Sequence, residues 1–591
     1  MIDDKPSSEQ TRAGALARRT IASPAADVVP HPALDQAVEA GEPDRPGTDA
    51  VVFGTAAVVS IAFVVWGMVS TDSLSTASGN AFDWVMTNTG WLFVLTSSAF
   101  VVFVVWLAMS KYGAIPLGRD DEEPEFRTSS WIAMMFSAGM GIGLMFYGVS
   151  EPLAHFTKPP PGTGDAGSAE TAMATTMFHW TLHPWAIYAV VGLVIAYGVF
   201  RKGRVQLISA AFGPLLGNHA NGRAGKAIDI FAIFATLFGS ATSLGLGALQ
   251  IASGLEIVGD LGKLGNAALV AIITVLTICF VLSAVSGVSK GIQWLSNINM
   301  VLALLLAVFL FVVGPTVFIL NMVPTSVGSY IQDLAMMSAR TGAEGSATAT
   351  WLGKNSIFYW AWWMSWTPFV GMFIARISRG RTIRQFVTGV LFIPSVVSVI
   401  WFCILGGTAI HTQDNGPDIA AKGGQEDQLF GLLDTLPLAT VASVLVMVLV
   451  AIFFVSGADA ASIVMGTLSE RGTTHPRRLV VIFWGVATGA VGAVMLIAGG
   501  EDALEGLQTI VIVAALPFVL IMVGLAAALM ADLRQDPLVV RRRYGADVVE
   551  QAVITGVTEH GDDFALAIEP VEPDESSSNG TRPDPSASEP S

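Results

Sequence analysis

Between residues 51 and 532 the chain alternates long apolar runs with short polar loops. A helix that crosses a bilayer needs about 20 mostly apolar residues. Twelve runs meet that requirement, starting near Val51, Trp91, Trp131, Trp180, Ala227, Ala267, Ile298, Ser356, Phe386, Pro437, Leu479 and Leu507. The pattern predicts an all-α polytopic membrane protein with twelve transmembrane helices. The segment 323–345 has apolar residues near helical spacing but is too short to span, and reads as an amphipathic helix lying in the interface.

The third run is a poor helix. Its centre, SAGMGIGLMFYG (137–148), carries glycine at 139, 141, 143 and 148, and glycine weakens helices. Gly139 and Gly143 have the spacing of a close helix contact, yet the density of glycine predicts local unwinding. Unwound backbone at membrane depth is tolerated only where it lines a cavity or is buried in protein. Secondary transporters use such breaks to hold ions and substrate. In the eighth run Pro368 and Gly371 are expected to break the helix likewise. If the third and eighth spans each open a set of five, the sets insert in opposite orientations, giving inverted five-helix repeats of the leucine-transporter type preceded by two extra helices. The expected layout is a cytoplasmic tail (1–50), two extra spans with a loop (51–130), a first repeat (131–322), the interfacial helix (323–345), a second repeat (346–532) and an acidic tail (533–591).

Composition agrees with this class. The 591 residues are 52% hydrophobic and only 13% charged, outside the range of soluble domains. The first apolar run follows some fifty polar residues, so no cleaved signal peptide is expected. Lys and Arg crowd the even-numbered loops, including Arg201, Lys202, Arg204, Arg376, Arg379, Arg381, Arg384, Arg477 and Arg478, whereas the odd-numbered loops hold Lys158, Lys263, Arg340, Lys354 and Lys422. The positive-inside rule then places both termini in the cytoplasm. The net charge of −16 sits mainly in the two tails, whose outer stretches, up to about Asp49 and from about Glu569, read as disordered, so it says little about substrate charge. Residues 548–570 carry short apolar alternations that fit a small hairpin. Cys279 and Cys403 stand alone in apolar runs, a pattern of neither disulfides nor a cysteine zinc site.

Aromatic residues suggest a cavity. The fourth run places Trp180, Trp185 and Tyr188, and the eighth places Trp360, Trp362, Trp363, Trp366 and Phe369. For Trp180 and Trp360, near helix starts, an interfacial belt is the competing reading. Trp363 and Trp366 lie deeper and share a face. Aromatic faces away from the interface attract a desolvated quaternary ammonium.

The strings SAGMGIGLMFYG, TTMFHWTLHPWAIY, ATLFGSATSLGLGALQI, SGVSKGIQWLSNINMVLA, FYWAWWMSWTPFVGMFIARISRGRTIRQF and SGADAASIVMGTLS together resemble the betaine/choline/carnitine transporter family. The resemblance implies a homotrimer in the bacterial plasma membrane that takes up compatible solutes under osmotic stress. It implies an aromatic box of Trp180, Trp185, Tyr188 and Trp363 around a trimethylammonium group, with Trp366 stacking deeper and Trp362 and Phe373 on the inner part of the pathway. Ala138, Met140 and Gly143 would offer backbone to the substrate carboxylate. Choline-carrying relatives tend to have aspartate at the position of Gly143, so glycine here implies a zwitterionic betaine, with ectoine and proline-type solutes as alternatives. One sodium site maps to Ser137, Met140, Phe453, Ser456 and Gly457, where glycine removes an expected hydroxyl. A second maps to Thr236, Ser240 and Phe369. Sodium is thus the expected coupling ion, with proton coupling or sodium-independent transport as alternatives.

No cofactor beyond sodium and no nucleic acid partner is expected. The lipid bilayer is the other expected partner, with anionic lipids at Arg541, Arg542 and Arg543, although the family's long basic C-terminal sensor is reduced here to these and Arg534. Asp459 reads either as an inner-gate partner of Arg376 or as a solvated helix end. His183 reads as a satisfied structural histidine. A channel would need a continuous polar pore, and HExxH is absent, so an enzyme is not expected.

Overall fold

The computed structural model describes residues 47–566, apart from positions 140, 165, 287, 288 and 501; the side chains of residues 136–139 and 284–296 also lie outside the description. The expected N-terminal tail therefore falls outside the described residues up to position 46. Residues up to 535 belong to one compact unit, and residues from 536 to another.

The first unit is helical. In chain order it contains α1 (Ala50–Val69), α2 (Thr71–Met109), α3 (Thr128–Gly139), α4 (Ile142–Thr157), α5 (Ala169–Trp180), α6 (Leu182–Ala196), α7 (Arg223–Gly259), α8 (Asn266–Ser286), α9 (Ser289–Val313), α10 (Thr316–Ala339), α11 (Ser346–Lys354), α12 (Ser356–Arg376), α13 (Ile383–Asn415), α14 (Gln425–Leu433), α15 (Ala439–Ser469), α16 (Arg478–Ala498) and α17 (Ala503–Arg534). Among the described residues nine helices are long and apolar enough to cross a membrane, or ten if α9 and α10, bent by 109°, count as one span. Three of the twelve expected runs fall outside the nine, each for a visible reason. The third is split into α3 and α4. The seventh turns sharply into α10. The eighth, α12, is diluted by tryptophan and tyrosine. Of the segment expected at the interface, residues 323–339 lie in α10, which begins at Thr316.

The break between α3 and α4 falls among the glycines, with Gly141 fully extended (φ −165°, ψ −177°). The eighth run departs from expectation, because α12 continues through Pro368. Proline removes the N–H that would bond the carbonyl four residues earlier, and the Thr367 hydroxyl donates to that carbonyl, Met364 O, at 2.6 Å. A side-chain hydroxyl replaces the lost backbone donor, so the helix holds. Gly371 serves contact instead: a Cβ there would lie 2.9 Å from Val191 of α6.

The loops rich in arginine are fixed to one another. Residues 115–117 pair antiparallel with 380–383 through Leu117 N–H to Arg381 O (2.8 Å) and Ile383 N–H to Ile115 O (2.9 Å). Arg201, wholly buried, donates to Gly118 O and to Asp120, each at 2.8 Å. Arg381 lies 4.1 Å above the Trp131 ring. Arg204 grips Asp532 with two bonds of 2.6 and 2.9 Å.

In the second unit α18 (Pro537–His560) occupies the segment where a hairpin was expected. Val549, Val553 and Val557 recur at a spacing of four, close to the helical period. Gly561, with φ +61°, follows the last turn, and its N–H bonds Val557 O at 3.0 Å.

Asp49 anchors the start of α1. Its carboxylate accepts from Val51 N–H (3.0 Å) and Val52 N–H (3.1 Å) and pairs with Lys226 at 2.9 Å. Burial alone would raise its pKa, but the Lys226 bond and the two backbone N–H groups outweigh it and hold the pKa below the ordinary value of 3.8. A depressed carboxylate stabilises the fold above its unfolded pKa and loses that contribution as pH falls through the lower folded value. Asp49→Ala should therefore lower the apparent Tm in detergent at pH 7 by the loss of about 1–2 kcal/mol of capping. Asp49→Asn should lose less, and the difference between Asp49→Asn and wild type should shrink as pH falls below the ordinary value of 3.8 and vanish below the lowered folded pKa. A Tm unchanged in Asp49→Ala would refute the anchor.

Candidate functional site

Four indole N–H groups in the centre of the protein are all bound by protein. Trp362 donates to Ser243 Oγ at 3.1 Å and Trp366 to Gly239 O at 2.9 Å. These donors are four residues apart on α12 and their acceptors four apart on α7, so one turn of each helix matches the other. The approach is close: a Cβ on Gly239 would lie 2.6 Å from Ser365 Cβ. Trp363 donates to His179 O at 3.1 Å, and Trp180 donates to the Glu151 carboxylate of α4. With the N–H edges turned into protein, ring faces remain for the space between.

That space is a cavity lined by Gly141, Gly143, Leu144, Trp180, Pro184, Trp185, Tyr188, Trp362, Trp363, Trp366 and Ser398. The ring centroids of Trp180 and Trp363 are 4.8 Å apart at 75°, and those of Trp185 and Tyr188 are 5.4 Å apart at 74°. Edge-to-face walls of this kind present π faces to a bound group. Among the described residues no lining side chain is charged.

The expected box residues Trp180, Trp185, Tyr188 and Trp363 thus come together, with Trp366. Trp180 and Trp360 are 5% and 1% exposed, which excludes the belt reading. Trp362, expected on the inner pathway, lines the cavity itself. Phe373 stands apart, 38% exposed. Gly143 sits where no side chain fits, since a Cβ would lie 2.6 Å from Trp362 and 2.9 Å from Trp180. Met140 lies outside the described residues, as do the side chains of Ser137 and Ala138.

For the ion positions, Ser456 donates to Ile452 O (2.9 Å) and Phe453 O (3.3 Å), within an unbroken α15. At Gly457 a Cβ would meet nothing within 4 Å. Thr236 donates to Ala232 O at 2.9 Å, while Ser240 Oγ is buried with no partner. Ser240 adjoins Gly239, the acceptor for Trp366, and Phe369 meets the Trp366 ring at 5.2 Å. Asp459 is neither solvated nor paired: it is 5% exposed and makes no ion pair with Arg376 among the described residues. His183 is not satisfied, because both ring nitrogens are buried without partners; its ring stacks 5.0 Å from Trp360.

The residue missed in the sequence is Glu151. It is 3% exposed and faces His179 Nδ1 at 2.6 Å as well as the Trp180 indole. Its sequence neighbourhood holds only His155 as a polar partner at helical spacing. The residues that satisfy it, His179 and Trp180, come from another helix.

An all-helical multi-pass membrane protein with a central aromatic cavity beside a broken helix is thereby defined. The betaine/carnitine/choline family transporter profile matches residues 51–538. The chain is 45% identical over 547 residues, 92% of its length and 87% of the relative's, to the betaine/ectoine transporter LcoP of Corynebacterium glutamicum. It is 46% identical over 491 residues, 82% of its length and 94% of the relative's, to the glycine betaine transporter OpuD of Bacillus subtilis. Glycine betaine transporter 1 of Vibrio parahaemolyticus is 39% identical over 495 residues, covering 82% of this chain and 94% of the relative. The chain belongs to the betaine/carnitine/choline transporter family.

Gly143→Ala should push the new methyl into Trp362 and Trp180. Overpacking of this kind costs about 1–3 kcal/mol, so ligand affinity should fall by roughly 5- to 100-fold, read as the midpoint of tryptophan fluorescence quenching by titrated substrate. An unchanged midpoint would show that the two indoles do not close over Gly143.

Proposed function

We propose that this transporter takes up glycine betaine by sodium symport with alternating access, protecting the cell under osmotic stress. The observation that carries the reading is the uncharged aromatic lining of the cavity. A quaternary ammonium is held by ring faces, but a bare cation would find no counter-charge among the lining residues. A zwitterion brings its own. Gly141, where an added Cβ would meet only Trp366 at 3.9 Å, leaves room for the carboxylate at the helix break, where the N-terminus of α4 carries partial positive charge. Ectoine and proline-type solutes share the zwitterionic charge and form the second reading, favoured by the name of the LcoP relative.

Sodium coupling is supported by the buried, unpartnered Ser240 hydroxyl and weakened by the missing hydroxyl at Gly457. The same proposal places both termini in the cytoplasm, the helix α10 at the interface and in trimer contacts, and Arg541, Arg542 and Arg543 near anionic lipids. Each basic residue near such a surface contributes roughly 1 kcal/mol, so osmotic activation through this short cluster is weak.

The test is uptake of labelled glycine betaine into proteoliposomes under an inward sodium gradient, with potassium replacing sodium as control. Accumulation should require sodium and be lost in Trp366→Leu. Accumulation indifferent to sodium would sink symport and point to protons or exchange. Absence of uptake with strong ectoine uptake would replace the substrate.

Gly457→Ser restores a hydroxyl into open space. It should lower the sodium concentration for half-maximal uptake by roughly 3- to 10-fold, the worth of about one hydrogen-bond-scale ligand. A rise or no change would remove Gly457 from the ion path.

A further inference from the structure

Glu151, His155 and His179 form a cluster behind the aromatic wall, and none of the three lines the cavity. Their ligand atoms all lie within 4.8 Å of one another, and the residues are 3%, 1% and 0% exposed. His155 Nε2 is buried, 3.4 Å from Glu151 Oε1, and has no hydrogen-bond partner. An orphaned imidazole nitrogen aimed at a carboxylate and a second imidazole is a donor set in need of an acceptor. We propose that these three residues form a binding site for a divalent transition-metal ion, with zinc the best-matched occupant.

The donor chemistry selects the ion. Two imidazoles and one carboxylate suit zinc and its neighbours and disfavour magnesium or calcium, which take oxygen ligands. Tetrahedral zinc with bonds of 2.0–2.2 Å sets its donors about 3.3 Å apart. The 3.4 Å between Glu151 Oε1 and His155 Nε2 is already at that separation; the 2.6 Å between Glu151 Oε1 and His179 Nδ1 must open. The second shell is in place. His179 Nε2 lies 2.8 Å from Ser356 Oγ, which would accept its N–H and leave Nδ1 free to bind. Glu151 and His155 are one turn apart on α4, so a single rigid helix presents both.

A route to the site is also visible. The Trp351 ring lies 5.7 Å from His155 and 6.2 Å from His179, and Trp351 also lines an open surface hollow with Lys158, Ser346, Lys354 and Asn355. The lysines slow entry of a cation without changing the donors, so loading is measured at equilibrium.

The ion would act on transport through Glu151, whose second oxygen holds the Trp180 indole. Neutralising this carboxylate weakens the bond that sets one wall of the cavity. This consequence rests on the betaine reading; the binding itself does not.

The experiment uses the untagged full chain in detergent, equilibrated with zinc alone, desalted and analysed for metal. One zinc per chain is expected. Affinity should fall at least tenfold in His155→Ala, as in His179→Gln, and stay unchanged in His475→Ala, an exposed control. X-ray absorption at the zinc edge should show two imidazoles and no sulfur. Zinc below stoichiometry, affinity indifferent to His155→Ala, or a sulfur or all-oxygen shell would each overturn the site. Tryptophan fluorescence titrated with glycine betaine separates the two readings. A midpoint raised several-fold by zinc in wild type but not in His155→Ala supports the coupling. No betaine response in any sample, with stoichiometric zinc intact, defeats the substrate and leaves the metal site standing. A folded His155→Ala, shown by wild-type elution on size exclusion, secures the comparison.

Discussion

A backbone N–H or C=O inside a bilayer has no water to bond, so any interruption of a helix there must be answered by protein. The gap between α3 and α4 is answered on every side. Residues 142–153 of α4 are all buried, and carbonyls just past the break receive side-chain donors from two other helices: Trp401 Nε1 gives to Leu144 O at 2.9 Å and Gln250 Nε2 to Met145 O at 3.2 Å. The helix that is weakest alone is therefore the one most enclosed. Its enclosure brings α7, α12 and α13 around the break, and the cavity is what their aromatic side chains leave open.

Tryptophan performs two tasks in that enclosure. Its N–H must find an acceptor when buried, and each of the four bound indoles finds one on a different piece of backbone or side chain: Ser243, Gly239, His179 and Glu151. These bonds fix ring orientation as much as they satisfy a donor. The matched spacing on α7 and α12 means that neither helix can slide by a turn without orphaning two indoles in low dielectric. The walls of the cavity are consequently set by the helix packing, and a residue as small as Gly239 is needed to let that packing close.

The general plan was legible because it rests on local signals. Apolar run length, the glycine density at 137–148 and the tryptophan spacing on α12 each report directly on a structural need. What was missed depends on which partner each side chain finds once the helices are packed. Pro368 reads as a break until Thr367 is seen to replace the lost donor. Glu151 reads as one polar residue near a helix end until His179 and Trp180 arrive from another helix. Position alone made Trp180 and Trp360 look interfacial, because a helix start in sequence need not be at the membrane surface when neighbouring helices cover it. In the C-terminal unit the error was one of period: alternating apolar residues over a few positions resembled a strand, whereas Val549, Val553 and Val557 keep the spacing of a helix.

The charge balance of the cavity follows from where Glu151 points. A carboxylate one helix behind an aromatic wall would be an obvious counter-ion for a bound cation, since in a medium of low dielectric its field reaches several ångströms. Here both of its oxygens are engaged away from the cavity, one by His179 and the other by the Trp180 N–H. The bond to Trp180 polarises the indole and adds electron density to the ring face, which strengthens attraction for a soft cation without exposing a net charge to it. A ligand with a full uncompensated charge would still have to shed its water against neutral walls, at a desolvation penalty of several kcal/mol per ion. A ligand carrying both charges can place the positive end on the rings and the negative end at the α4 N-terminus, where glycine leaves the backbone open. The selectivity of such a site lies in the distance between those two ends, and that distance is fixed by the same indole bonds that hold the walls.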